Sequence, residues 1–593
     1  MTEFSTTIDE FLGEYFAIEP LAATDAGNHD HDHRWPDLTE TGRVGRLAFA
    51  DRWLARFGGF GDEALSLDER ADRDVIVGQL EALRFHEAEL RTTAWDPLEW
   101  VELMGVGLFL LLAREFAPRA VRLASFAGRL DGLASVVDAA EAALVGLPEV
   151  PVSKLHAEAA LSQLGGIAEL VDEALGDAEQ AAPDDPATAE LLPFLRTSAA
   201  SARAAVDRFE RHVRQIVLPS SSGEGRLGAE RFAGKLRHTL QVPELTPERL
   251  LERAESEAVA VRAEMVRLAR ELWPAWCPDE EMPDDEQRLV RGVLDRIATE
   301  HPAADEMLDA CREELARIEA FCRDRQLIGL PAEPLELRWT PTFLAAFGGA
   351  SLWSPGPLDR HLKAYFLVTP IPPDWSEEQT ESWLREMNDR QIRVLTIHEA
   401  VPGHYLQGVY ANRNPSLVRT IFGSGVFAEG WAVYVTQIMI DAGYGADDPA
   451  LMIGHWKFYL RAVLNVILDV RVHTRDMTED EAIGLLVGDG FQEESEARNK
   501  YRRARLTSTQ LSTYFVGSAG LWDLDAEVRR RAGAGVERAE AAERGGEATA
   551  PGLPGGPDDP PGWERRAYLE TVISHGTPPL PVLRRLVLGD GPA

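Results

Sequence analysis

The chain has 593 residues, 45% of them hydrophobic and 27% charged, so it can bury a large core and is not composed like a disordered protein. Its 98 Asp and Glu against 61 Lys and Arg give a formal charge of −37. That field repels phosphate backbones and anionic lipid and argues against nucleic-acid and membrane partners; it reads as a device for solubility before it reads as attraction of a cationic substrate.

Along the chain, Ile8, Phe11, Leu12, Tyr15 and Phe16 fall three and four apart and predict an amphipathic helix at the start. The opening is acidic where a secretory signal is basic, and Cys277, Cys311 and Cys322 show no C-x-x-C spacing. Both features point to a reducing, cytoplasmic setting. AGNHDHDHRW alternates His29, His31 and His33 with Asp, and reads as a polar loop before it reads as a metal site. From residue 40 to 215 the pattern is helical, broken at Asp96-Pro97, Gly146 to Pro151 and Ala182 to Pro186. The apolar run Leu103 to Ala113 is too short for a bilayer and predicts a buried helix. In HEAELR, Leu90 stands where a helical partner for His86 would be, so His86 and Glu87 read as surface residues.

The stretch 218–228, LPSSSGEGRLG, has the composition of a flexible joint. Thr246, Pro247 and Glu248 then start a helix, opening a scaffold that runs to 328. After 335 short apolar runs with Gly and Pro suggest strands, Ala364 to Val368 above all. An exposed edge there could hold an extended peptide, or the hairpin could simply pack. Ser376 and Gln379 form a capping box for a long helix reaching His398, and Thr478 with Glu481 begins another after His473. The Gly- and Pro-rich 545–562 stretch reads as a mobile insertion before two closing helices. This divides the chain into an N-terminal helical region (1–217), a helical scaffold (218–335), a catalytic region (336–530) and the insertion with its closing helices (531–593).

The chemistry concentrates in HEAVPGHYLQ, 398–407. Two histidines four apart on a helix reach one ion, but His398 and His404 are six apart and would diverge by 240°. Pro402 cannot continue a helix, because its ring clashes with the carbonyl of His398, and Gly403 frees the backbone after it. Looping out two residues restores the four-apart relation. Glu429 in FAEGWAVY is the candidate third zinc ligand, beside a Gly430 that permits close backbone approach. Glu399 is then left as general base for the metal-bound water.

HEAVPGHYLQ, AEGWAVY, Arg461, LDVRVH (468–473), TQLSTYFVG (509–517), AIEPLAATDAG near the start and ISHGTPPLPVL near the end resemble the bacterial family of domain of unknown function 885. The resemblance spans nearly the whole chain and implies a mainly α, zincin-like metallopeptidase fold with a small β element near the active-site helix. Departures are Tyr405 where a further His is common, Thr436 where an acid often stands, and Ser508 where Pro is usual. The resemblance implies a zinc-dependent hydrolase of peptide or small amide bonds. In it Tyr514 is an oxyanion donor, or else a core tyrosine. Asp469, His473, Arg461 and Gln510 are supports, substrate contacts or, for His473, part of the catalysis. Two alternatives remain open: hydrolysis or remodelling of a non-peptide amide in specialised metabolism, and a non-catalytic zinc- or peptide-binding protein of the same fold.

Overall fold

The computed structural model describes residues 2–340, 349–372, 375–531 and 564–589; the predicted 545–562 insertion lies outside them. The chain is mainly α, with a small three-stranded sheet. It forms two compact units: Met1–His238 with Pro355–Leu362, and Thr239–Ser354 with Lys363–Ala593. The first unit thus runs past the joint expected at 218.

In the first unit the opening stripe folds as the helix Glu3–Ile18 and buries Phe4, Phe11, Leu12 and Phe16. Phe11 meets Trp53 edge to face, with ring centroids 5.4 Å apart. Two of the three predicted breaks are helix starts with Pro at the first position, Asp96 capping Pro97–Leu112 and Asp185 capping Pro186–His212, while Gly146 to Pro151 lies between the helices Arg119–Ala143 and Lys154–Ala181. The first of these holds the apolar run, whose Met104, Leu108 and Leu111 are fully buried. Among the described residues no helix is long and apolar enough to cross a membrane.

Two local expectations fail. The 218–228 stretch is tied down, since Ser222 and Gly223 donate to the Val152 carbonyl at 3.0 and 2.9 Å. Glu87 is not on the surface: it is buried and paired with Arg46 at 2.7 Å. His29 is held by Asp32 and Asp359 at 2.8 and 2.9 Å, with its ring on Phe116, an arrangement that fixes a loop.

In the second unit Thr246 caps the helix Pro247–Trp276, which packs along Ala450–Thr474. The sheet contains β1 (Leu335–Trp339), β2 (Ala350–Trp353) and β3 (Ala364–Val368) in the order β1-β3-β2. β1 pairs parallel and β2 antiparallel to β3, so the strand best marked in the sequence is central and the edges are β1 and β2. Phe366 and Val368 bury against Met307, Leu308, Leu384, Met387, Ile392 and Ala400. That core seats the sheet against the helix that ends in His398 and Glu399.

Candidate metal centre

The long helix expected from Ser376 is two helices. Glu377–Glu386 has the predicted Ser376–Gln379 box, and Asp389–Glu399 starts afresh on Asn388, whose side chain accepts from the Arg390 and Gln391 N–H groups. The second helix ends on His398 and Glu399, the Val401–Pro402 peptide is cis, and His404–Arg413 begins immediately after. Across the break Gly403 N–H donates to Ile397 O at 3.0 Å and Leu406 N–H to Ala400 O at 3.2 Å. A reach of six residues in place of four means that two residues are inserted. His404 therefore occupies the place a residue four after His398 would take. A Cβ on Gly403 would lie 1.9 Å from the His398 carbonyl oxygen, so only glycine fits there. The buried Trp431 indole donates to Pro402 O at 2.8 Å and braces the break, a packing role.

Glu429 stands in the helix Gly425–Asp441, capped by Ser424. Its neighbour Gly430 meets Gly517 of the helix Thr513–Arg531, where a Cβ on either glycine would lie 2.2 or 2.0 Å from the opposing backbone. Two facing glycines thus bring the Glu429 and Tyr514 helices into backbone contact. Gly430 was legible as a point of close approach; its partner Gly517 was not, although the TQLSTYFVG string contains it.

The result is one convergent donor set. Glu429 Oε2 lies 3.6 Å from His398 Nε2 and 3.5 Å from His404 Nε2, and the three ligand atoms lie within 4.8 Å of one another. Those two separations are too long for hydrogen bonds, and Glu429 Oε2 is buried without a hydrogen-bond partner. Donors each about 2.0–2.1 Å from a tetrahedral zinc stand about 3.3 Å apart, so the orphaned oxygen and its two imidazoles fit such an ion. Among the described residues no other group of three His, Cys, Asp or Glu side chains converges in this way.

Burial opposes ionisation of Glu429, but the two facing imidazoles outweigh it and hold the carboxyl well below the usual range. Burial likewise opposes the charged form of His404, and Glu429 and then Glu399 outweigh it and raise its pKa. Glu399 follows the ligand candidate His398 directly and is itself buried. Burial, and then the charge of Glu429, push the Tyr514 phenol up to about 12, so it keeps its proton at neutral pH and can donate.

Gln510 Nε2 donates to Tyr514 OH at 3.3 Å, and Gln510 Oε1 accepts from Arg503 at 2.8 Å. Asp469 accepts from Thr509 N–H at 3.0 Å and Ser512 Oγ at 2.7 Å, fixing a turn in which Ser508 and Thr509 have φ of 37° and 63°. His473, counted among the catalytic residues from sequence, stands four residues after Asp469 on the helix Ala450–Thr474. It is buried with Nε2 2.9 Å from Ala504 O and 3.9 Å from Asp469, on the segment that leads to the turn. Arg461 pairs with Glu386, which also accepts from Lys457 at 2.8 Å. Burial pushes Glu386 up, yet Lys457 and Arg461 bring it down to about 2. The sequence did not single out Glu386, Lys457 or Phe458, whose ring stands edge to face with His398 at 5.5 Å.

The departures from the family pattern are absorbed locally. Tyr405 donates to the Glu333 carbonyl, and Thr436 bonds back to Ala432 O at 2.8 Å within its own helix.

The model of a family of bacterial proteins of unknown function, DUF885, matches residues 20–587. The chain belongs to this family. It is similar in structure to a candidate lipoprotein of unknown function from Shewanella oneidensis, at 27% identity and a TM-score of 0.79, covering 99% of this chain and 100% of that one. A candidate lipoprotein from Colwellia psychrerythraea shares the fold at 14% identity and a TM-score of 0.74, with 99% of each chain covered. None of the curated proteins matches.

Proposed function

We propose that this DUF885 protein is a zinc-dependent hydrolase of peptide or amide bonds, with His398, His404 and Glu429 as the ligands. The supporting observation is the orphaned Glu429 oxygen held between two imidazole nitrogens at 3.5 and 3.6 Å. Zinc, when bound, supplies a Lewis acid that polarises the scissile carbonyl and makes water acidic enough to lose a proton near neutral pH. Glu399, adjacent in sequence to one ligand and electrostatically close to another, takes that proton and returns it to the leaving amine. Tyr514, protonated at neutral pH, donates to the oxygen that gains charge. Asp469 and His473 hold the turn before Tyr514 and do not themselves touch substrate.

A peptide is favoured over other amides because β2, at the edge of the sheet, packs against the helices that carry His398 and His404. An extended chain can add to such an edge. The three thiols, all unpaired and buried, fit the cytoplasm as the compartment. The test is zinc stoichiometry with turnover of a peptide library, for the wild type and Glu399→Gln. The variant should keep its metal and lose turnover by about a hundredfold or more. Protein that binds no zinc when purified with zinc in excess would refute the proposal, and indifference of turnover to Glu399→Gln would remove Glu399 from its role.

A further inference from the structure

The helix Ala450–Thr474 is buried almost throughout, and its less buried positions include Gly454, Lys457, Phe458 and Arg461. These recur three and four apart and form one open stripe. Phe458 on this stripe touches His398, so Arg461, a turn further on, continues away from the donor set along the same face. A second path leaves from Tyr514, through Gln510 to Arg503. Arg503 shares the helix Glu494–Thr507 with Lys500, which stands one turn before it, and that helix packs against Ala450–Thr474, which carries Arg461.

Lys500 has no adequate partner there. Its side chain is 6% exposed, and among the described residues its ion pair is with Glu496, at 3.7 Å and 43% exposed. The nearby half-buried carboxylate, Glu386, is already engaged by Lys457 and Arg461. Arg461 Nε is also buried with no hydrogen-bond partner. Donors are thus in surplus: a guanidinium N–H is withdrawn from water without an acceptor, and a nearly buried lysine has only an exposed carboxylate 3.7 Å away. Burying cations whose donors are only partly satisfied is costly, and a planar anion that takes the remaining donors lowers the cost.

We propose that Lys500 and Arg461 form a seat for a carboxylate of the substrate, next to the bond to be cut. This rests on the hydrolase reading for the word substrate, but the seat is defined by residues outside the metal ligands. The carboxylate is either the α-carboxylate of a peptide, which confines cleavage to the C-terminal end, or an acidic side chain.

Calorimetric titration of the full-length protein as purified tests this with three ligands: N-acetyl-leucine, its amide, and N-acetyl-glutamate α-amide. At least one of the two acids should bind about tenfold more tightly than the uncharged amide, and which one does so identifies the carboxylate. Lys500→Met should erase the preference, and Lys500→Arg should keep it. Equal binding of all three, no binding of any, or a preference that survives Lys500→Met would overturn the seat; the last result places the carboxylate elsewhere, such as on the metal. Zinc content of the same preparations separates the two proposals. Protein without zinc refutes the hydrolase whatever the acid-to-amide ratio, and the ratio decides the seat whatever the zinc content.

Discussion

A nearly buried lysine whose ion pair is with an exposed carboxylate 3.7 Å away should cost the folded chain stability, and at Lys500 the cost has a pH signature. The lysine ordinarily titrates at 10.5; burial, and then Arg461, push it down to about 7 in the folded state. Below pH 7 folded and unfolded chains both carry the proton, and the folded state bears the whole penalty. Between 7 and 10.5 the unfolded chain binds one more proton than the folded one, so rising pH favours folding; above 10.5 the penalty is gone. The difference between the two pKa values corresponds to on the order of 4–5 kcal/mol. Lys500→Met keeps most of the aliphatic stem and removes the charge. It should therefore be more stable than the wild type at pH 6, with the gap closing by about 1.4 kcal/mol per pH unit above 7. Urea unfolding of both proteins at matched zinc content, followed by tryptophan fluorescence from about pH 6 to about pH 9.5, measures the gap. A gap that stays constant over that range would show that Lys500 keeps its ordinary pKa, and the reasoning would be wrong.

Two further variants probe how the site is held. Asp469→Asn weakens the acceptor of Thr509 N–H and Ser512 Oγ and should cost on the order of 1.5–3 kcal/mol. Because Tyr514 follows that turn, kcat should fall while zinc content stays the same; unchanged kcat would separate the turn from catalysis. Gly517→Ala puts a Cβ 2.0 Å from Val426 O and should cost on the order of 1–3 kcal/mol or more, since two backbones have to part. Glu429 adjoins the contact, so zinc should be lost to a competing chelator more readily than from the wild type, and equal retention would show that Glu429 is placed without it.

What the sequence made legible was mostly local. Helix starts at Pro247 and Glu377 are written in adjacent residues, a capping side chain with proline or a glutamine at set offsets, and the structure has both; the breaks read at Pro97 and Pro186 are helix starts of the same kind. Where an expectation failed, a partner distant in sequence decided the outcome. Residues 218–228 have a linker's composition, but the Val152 carbonyl captures two of their N–H groups. Glu87 looks like one more helix-surface acid until Arg46 buries it. The helix expected to reach His398 unbroken gives way at Asn388, which can cap a new helix as well as continue an old one.

The same distinction runs through the candidate site. The insertion between the histidines was legible because the conflict is contained in seven residues: a six-residue spacing that a helix forbids, and a proline and a glycine that relieve it. The charge surplus was not, since Glu386, Arg461 and Lys500 lie on three helices, and of these Arg461 alone stood out in the sequence while Glu386 and Lys500 pass locally for ordinary surface charges. Only packing shows that one carboxylate serves two cations while a third is left nearly dry. Metal chemistry repeats in short strings because its ligands must meet at fixed distances. A seat of the kind proposed for Lys500 and Arg461 needs only charge and room, so it can be assembled from residues far apart in the chain, and a sequence string marks it less readily than it marks a ligand set.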